Sequence, residues 1–362
     1  MSVRQQTPLV NFALSALIVA LSIYLLVVGQ QLFLPLVIAI VFWFLINFVA
    51  NLVARIPVGR WHIPRPLCFL AAILIWVTVV TVIVQFVSGS LNDLGSVARV
   101  YEANLRDYWQ SLPFTAQFPA GGFTQVVTEW LDISSMVTAL ALTFTGLAAD
   151  SILIVIYVGF LLLEQGNFNN KLSALIGDPA RERRVRRIIN KVRGDIQKYM
   201  TIKMLTSAIT GTLGYIILRV LGVNFPEVWG TLIFLLNFIP TVGSIIATIF
   251  PAMIALAQST DDGLYLAVLV LMMIGALQVT IGNIIEPRLM GTSLNLSPIV
   301  ILFNLALWGY IWGIAGMFLC VPFLIITTIV LSHFPKTRPI AILLSSNGQI
   351  DLPVDQDTPA QS

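Results

Sequence analysis
Glu286 and Arg288 flank Pro287 in the stretch Asn283–Pro298, which separates two long apolar segments, Trp229–Leu256 and Pro298–Leu331. A charge at bilayer depth is costly, so such residues face a cavity and pair with one another. Two kinds of chemistry suit these side chains. Glu286 could take and release a proton, or Arg288 could hold an oxygen-rich solute. The plainer reading is an Arg–Glu pair that ties two helix ends together. Gln278 and Asn283 lie eight and three residues before Glu286. Positions three, four, seven or eight apart share a helix face, so a polar stripe leading to Glu286 is expected.

Each apolar segment is interrupted near its centre. The first carries Ile239-Pro240-Thr241-Val242-Gly243, and the second carries Trp308-Gly309 with Gly313 and Gly316. Backbone freed by such breaks is tolerated at membrane depth only where protein or a water-filled cavity satisfies it. Paired broken segments point to a transporter's binding site. In the first break, unwound carbonyls with the side chains of Asn237, Thr241 and Ser244 could coordinate a cation or a polar solute. Pro240 and Gly243 shape that break. A proline kink whose polar groups satisfy freed backbone is the plainer alternative. Asn304 stands before the second break and belongs to the same candidate pathway.

Other chemistries find little support. His62 and His333 sit in basic loops without a Cys, Asp or Glu cluster, so neither reads as a metal ligand. Cys68 and Cys320 lie far apart in apolar runs and read as small buried hydrophobes. No G-x-x-x-x-G-K-[ST] loop occurs, so a Walker-type ATP site is not expected. No cofactor is called for. No Ser/His, Asp/Asp or His/Glu arrangement supports an enzyme.

The elements that must position these residues follow from composition. The chain has 362 residues, 57% of them hydrophobic and 10% charged, against about 25% charged in a soluble domain. This is the composition of an all-α, polytopic membrane protein. Unbroken apolar runs of about 20 residues are long enough to cross a bilayer. They occur at 9–28, 32–53, 67–87, 140–163, 204–221 and 264–285. With the two broken segments they make about eight membrane segments. Arg55, Arg60 and Arg65 place their loop in the cytoplasm, as does the run of arginines from Arg181 to Arg193. The expected organisation is three spans in 1–90, an extracytoplasmic helical arm in 91–139, and a fourth span in 140–177. A basic amphipathic helix follows in 178–203, then a transport core in 204–335 and a tail in 336–362. Both termini then lie in the cytoplasm.

Two of these regions carry further expectations. In the arm, Leu91, Leu94, Ala98, Tyr101, Leu105, Tyr108 and Leu112 form one apolar stripe at spacings of three and four. It covers either its own subunit or a neighbouring one. In the basic helix, Val185, Ile188, Ile189, Val192 and Ile196 form an apolar face ringed by arginines and lysines. A helix at the membrane surface, bound to anionic lipid along 178–200, fits better than nucleic-acid binding. Gly211 and Gly214 give the fifth span a small-residue face for close packing. The topology of the broken segments stays open. Length favours full crossings, whereas the breaks, with Asp261 and Asp262 outside and Arg288 inside, favour re-entry.

The stretches Leu236–Leu256 and Asn283–Phe323, with E-P-R-x-M-G from Glu286 to Gly291, resemble the autoinducer-2 exporter family of bacterial membrane proteins. The basic helix, the paired N-terminal spans and the outer arm fit as well. The resemblance implies a multi-pass inner-membrane protein that moves a small solute outward, autoinducer-2 in its best-known members. It also implies a homo-oligomer, a pentamer in at least one member. Other members are described as sodium or lithium/proton antiporters. Three readings follow: a secondary exporter without its own ATPase, a cation/proton antiporter using Glu286, and an oligomeric scaffold or passive pore.

Overall fold
The computed structural model describes residues 8–55, 64–111, 133–259, 262–291 and 295–349. Within them the regular elements are helical, apart from one isolated bridge between Leu296 and Ser345. The all-α expectation holds. The helices are α1 (Pro8–Val28), α2 (Gln30–Val53), α3 (Arg65–Ser111), α4 (Ile133–Glu164), α5 (Phe168–Ile176) and α6 (Pro179–Val220). They continue with α7 (Pro226–Leu236), α8 (Val242–Ala257), α9 (Gly263–Val279), a π-helical stretch (Thr280–Ile285), α10 (Glu286–Met290), α11 (Pro298–Ser332) and α12 (Arg338–Leu344). Among the described residues, five helices are long and apolar enough to cross a membrane: α2, α3, α6, α9 continued through Met290, and α11, the last by total length only because it is broken at Trp312 and Gly313. A sixth is added if 152–164 and 168–176, bent by 66°, make one span.

The chain forms two compact units. One comprises Phe44–Ile152 and Asp195–Leu294. Here the third span and the outer arm are one helix, α3, whose 47 residues reach about 70 Å. The arm's Leu91, Leu94, Ala98, Tyr101 and Leu105 are buried in one apolar core with Val228, Trp229 and Ile233 of α7 and Ile254 of α8. Asn104 donates to the Ala257 carbonyl at 2.8 Å, and Asn224 donates to the Tyr101 hydroxyl at 2.6 Å. The arm's stripe therefore covers its own subunit. Leu112, and the helical piece expected to restart near Thr124, lie outside the described residues.

The basic stretch and the fifth apolar stretch are likewise one continuous helix, α6. Its small-residue face works as expected. A Cβ on Gly211 would meet Phe234 Cβ at 2.7 Å, and one on Gly230 would meet Tyr215 Cβ at 2.7 Å. Close packing of this kind joins α6 to α7.

The first broken segment is a helical hairpin. The Asn224 backbone N–H donates to Gln258 Oε1 at 2.9 Å, and Gln258 Nε2 donates to the Gly222 carbonyl at 3.0 Å. The segment thus leaves and returns at one level. Its arms have 11 and 16 residues, about 16 and 24 Å. Each falls short of a hydrocarbon core of about 30 Å. The length that argued for a full crossing is divided between two antiparallel arms. The reversal needs Thr241 at φ 60° and a bare Gly243, where a Cβ would lie 1.8 Å from the Leu236 carbonyl oxygen.

The other unit comprises Met1–Trp43, Leu153–Gly194 and Asn295–Ser362. Here α11 loses helical geometry at Trp312 and Gly313 and folds back. A straight helix would separate Asn304 from Cys320 by about 24 Å, yet the Asn304 amide donates to the Cys320 carbonyl. Trp308 and Phe323 stack with centroids 4.0 Å apart. The Ser297 N–H donates to the Leu344 carbonyl at 3.0 Å, so the start of this hairpin lies beside the end of α12, which follows it. At the tip, Trp312 Nε1 donates to the Leu26 carbonyl in the last turn of α1 at 3.0 Å. The second broken segment is therefore also a hairpin.

In the same unit Arg186 docks α5. Its guanidinium donates to Glu182, to the side chain and carbonyl of Asn169, and to the Ser173 hydroxyl. Ser173 donates to Glu182 at 2.7 Å, and this bond, then that from Arg186, holds the Glu182 carboxyl below its ordinary 4.5.

Two outcomes follow. Gly243→Ala and Gly316→Ala put a Cβ 1.8 and 2.0 Å from carbonyl oxygens. Both should abolish the monodisperse peak in size-exclusion chromatography. Gly275→Ala, with no atom within 4 Å, should be tolerated and gain about 0.5–1 kcal/mol of helix propensity. Glu182 has a depressed folded pKa, so its contribution is present above the unfolded value and fades as pH falls through the folded one. The protection factors of the amides over 168–176 should therefore be undiminished at pH 7 and fall only below about 4.5, the ordinary Glu value.

Candidate functional site
The site is built on α6. Lys203, Thr206, Ser207, Thr210, Gly211 and Gly214 are all buried, at the spacings of three and four that share a helix face. Glu286 reaches this face from beyond α9, which passes into the π-helical stretch before it. The Glu286 backbone N–H bonds to the Ile281 carbonyl, five residues back. This wide turn shifts the side-chain register, and π-bulges of this kind are frequent at functional sites. Gln278 is buried, Asn283 is exposed, and Glu286 meets α6. The polar stripe expected at α-helical spacing is broken by that turn.

Glu286 pairs with Lys203. The Nζ–Oε1 distance is 2.7 Å, and the side chains are only 7% and 12% exposed. Thr206 Oγ1 lies 3.5 Å from Glu286 Oε2 and 3.2 Å from the Lys203 carbonyl. Thr210 Oγ1 donates to the Thr206 carbonyl at 2.7 Å. Four residues past Lys203, Ser207 Oγ accepts from Asn237 Nδ2 at 2.9 Å. The break of the α7–α8 hairpin is therefore fastened one helical turn from the ion pair.

The other candidates fall as follows. Arg288 is exposed, and the partner expected of it is taken by Lys203. Pro240 and Gly243 form the reversal. Thr241 is exposed, and Ser244 is partly buried with its carbonyl accepting from Thr248 Oγ1. Gln278 is buried with neither polar atom partnered. Asn304 belongs to the other unit, where its amide closes the second hairpin. Among the described residues no three His, Cys, Asp or Glu side chains converge as a metal site.

Sequence reasoning missed Lys203 because it closes the basic run and was grouped with it. The signal was the polar and small set at 203, 206, 207, 210, 211 and 214 inside an apolar span.

Apolar helices long enough to span, two helical hairpins and a buried charge pair define a polytopic helical membrane protein of transporter type. A family model described as "AI-2E family transporter" matches residues 14–336, and the chain belongs to that family. It is 32% identical over 290 residues to the AI-2 transport protein TqsA of Escherichia coli (strain K12), covering 79% of this chain and 83% of that one. It is 34% identical over 242 residues to a protein of Haemophilus influenzae named for transport, covering 65% and 66%. It is 27% identical over 299 residues to YhhT of E. coli K12, also named for transport, covering 80% and 83%.

Removing one member of a buried ion pair leaves an uncompensated charge and costs about 3–5 kcal/mol, whereas replacing both by apolar groups is often neutral. Lys203→Met alone should therefore lower the Tm of the purified protein sharply. The Lys203→Met/Glu286→Met double variant should recover most of that loss. Additive losses in a thermal-unfolding cycle would show the two residues to be uncoupled.

Proposed function
We propose that this protein is a secondary exporter in the inner membrane that moves a small polar solute of the autoinducer-2 type outward, without an ATPase of its own. The observation that carries this reading is the buried Lys203–Glu286 pair, one turn from the anchored tip of a helical hairpin. Protonation of Glu286 would cancel its charge and free Lys203. The pair is thus a local two-state element that a proton gradient can bias, and Asn237–Ser207 connects it to the hairpin. Membership of the AI-2E family and likeness to a protein named for AI-2 transport support the choice of solute.

The cation/proton antiporter is the second reading, and it uses the same carboxylate. Lys203 already neutralises Glu286, so a cation would first have to displace an ammonium 2.7 Å away. This favours the exporter. The scaffold reading loses its docking face, since the arm's stripe is covered within the subunit. The basic stretch of α6 is proposed to meet anionic lipid at the cytoplasmic surface.

Reconstituted liposomes under an imposed proton gradient test the reading. Autoinducer-2 should move in the wild type and at least about tenfold slower in Glu286→Gln, a difference of about 1.4 kcal/mol or more in the barrier. Sodium-driven proton flux without autoinducer-2 movement would establish the antiporter instead. Movement of neither solute by folded protein would overturn both.

A further inference from the structure
Gln278 continues the buried face of α9 that carries Gly263, Ala267, Val270 and Ile274. Val270 and Ile274 share one apolar core with Ala247, Ala252 and Ala255 of α8, and the two helices pack along each other. Gly263 fixes their register at one end, since its Cβ position lies 2.5 Å from the Leu256 carbonyl oxygen. Antiparallel helices each advance about 1.5 Å per residue. The same register carries Gln278 toward the first residues of α8, where the hairpin reverses.

Gln278 is 6% exposed, and neither its Oε1 nor its Nε2 has a protein partner. A buried amide left unpaired destabilises the fold, and an apolar side chain of similar shape would remove that cost. Its carboxamide offers two N–H donors and a carbonyl acceptor. The buried charges of Glu286, eight residues on, and Lys203 neutralise each other, and Arg288 beyond them is exposed. The chemistry this position presents is hydrogen bonding without charge.

We infer that the Gln278 carboxamide is a solute-contacting residue, which donates to and accepts from a small neutral solute bearing hydroxyl or carbonyl groups at the hairpin tip. The inference deepens the exporter reading and rests on it for the idea that a solute passes here. It adds the residue that contacts the solute and the neutrality of what is selected.

The test uses the full chain purified in detergent, with ribose as the neutral polyhydroxy probe and lactate as the anionic control. Ribose should raise the Tm of the wild type, and lactate should not. Gln278→Leu should raise the ligand-free Tm and lose the ribose response. Gln278→Met, which keeps the unbranched shape, serves the same purpose if leucine packs poorly. Three results would each overturn the inference: no ribose response in the wild type, an undiminished response in the variants, or an equal response to lactate. A fall in ligand-free Tm in both variants would do so too, since it would show the amide to be structurally paired. The readout needs neither gradient nor flux. Absence of autoinducer-2 movement in liposomes, with the ribose response intact, would sink the exporter reading alone.

Discussion
A peptide group taken out of water must be satisfied by the protein around it. Both broken segments answer that constraint at their reversals. In the α7–α8 hairpin, the Gly243 N–H returns to the Ile239 carbonyl and the Val242 N–H to the Pro240 carbonyl. The Asn237 side chain fastens the break to Ser207. In α11, Asn304 clasps the opposite arm at Cys320, and Trp312 reaches the last turn of α1. Each reversal brings two backbones so close that one glycine has no room for a Cβ. The fold depends on these contacts because without them an interrupted helix at membrane depth would strand its polar groups.

The ion pair follows a related logic. Two charges that are 7% and 12% exposed stand together only because each cancels the other. Isolating either is what costs, and this makes the pair a poor stabiliser. Neighbouring residues of α6 link it to the hairpin. Thr206 lies within reach of the carboxylate, and Ser207 ties the next helical turn to the hairpin. Glu286 and the reversal are thus both tied to neighbouring residues of α6.

Close packing makes room for this arrangement. Gly211 and Gly230 let α6 and α7 approach to backbone contact, and the buried face of α8 is largely alanine. Membrane helices gain little from hydrophobic exclusion and associate through such small-residue faces and interhelical hydrogen bonds. The outer arm, in contrast, packs large side chains on the ends of α7 and α8. The α7–α8 hairpin is gripped along its length by small residues and at its open end by large ones.

Composition and periodicity by themselves determined the all-α membrane class, the arm's stripe and the place of both breaks, whereas five or six helices among the described residues, not about eight segments, are long and apolar enough to cross. The class, the stripe and the breaks are local properties: an apolar run, a spacing of three and four, a proline or glycine inside a helix. Glu286, Asn237 and Gln278 were also legible, since polar residues in apolar stretches stand out one by one. The tertiary structure alone decided what each of them meets. Lys203 lies 83 positions from Glu286, and Ser207 lies 30 from Asn237, beyond any local pattern. The π-helical stretch moved Asn283 off the stripe by a change of backbone winding that side-chain spacing does not encode. The fold-back of each broken segment was decided the same way. The two topologies have the same charges and total length, and only the contacts of Gln258 and Asn304 show that each segment folds back on itself.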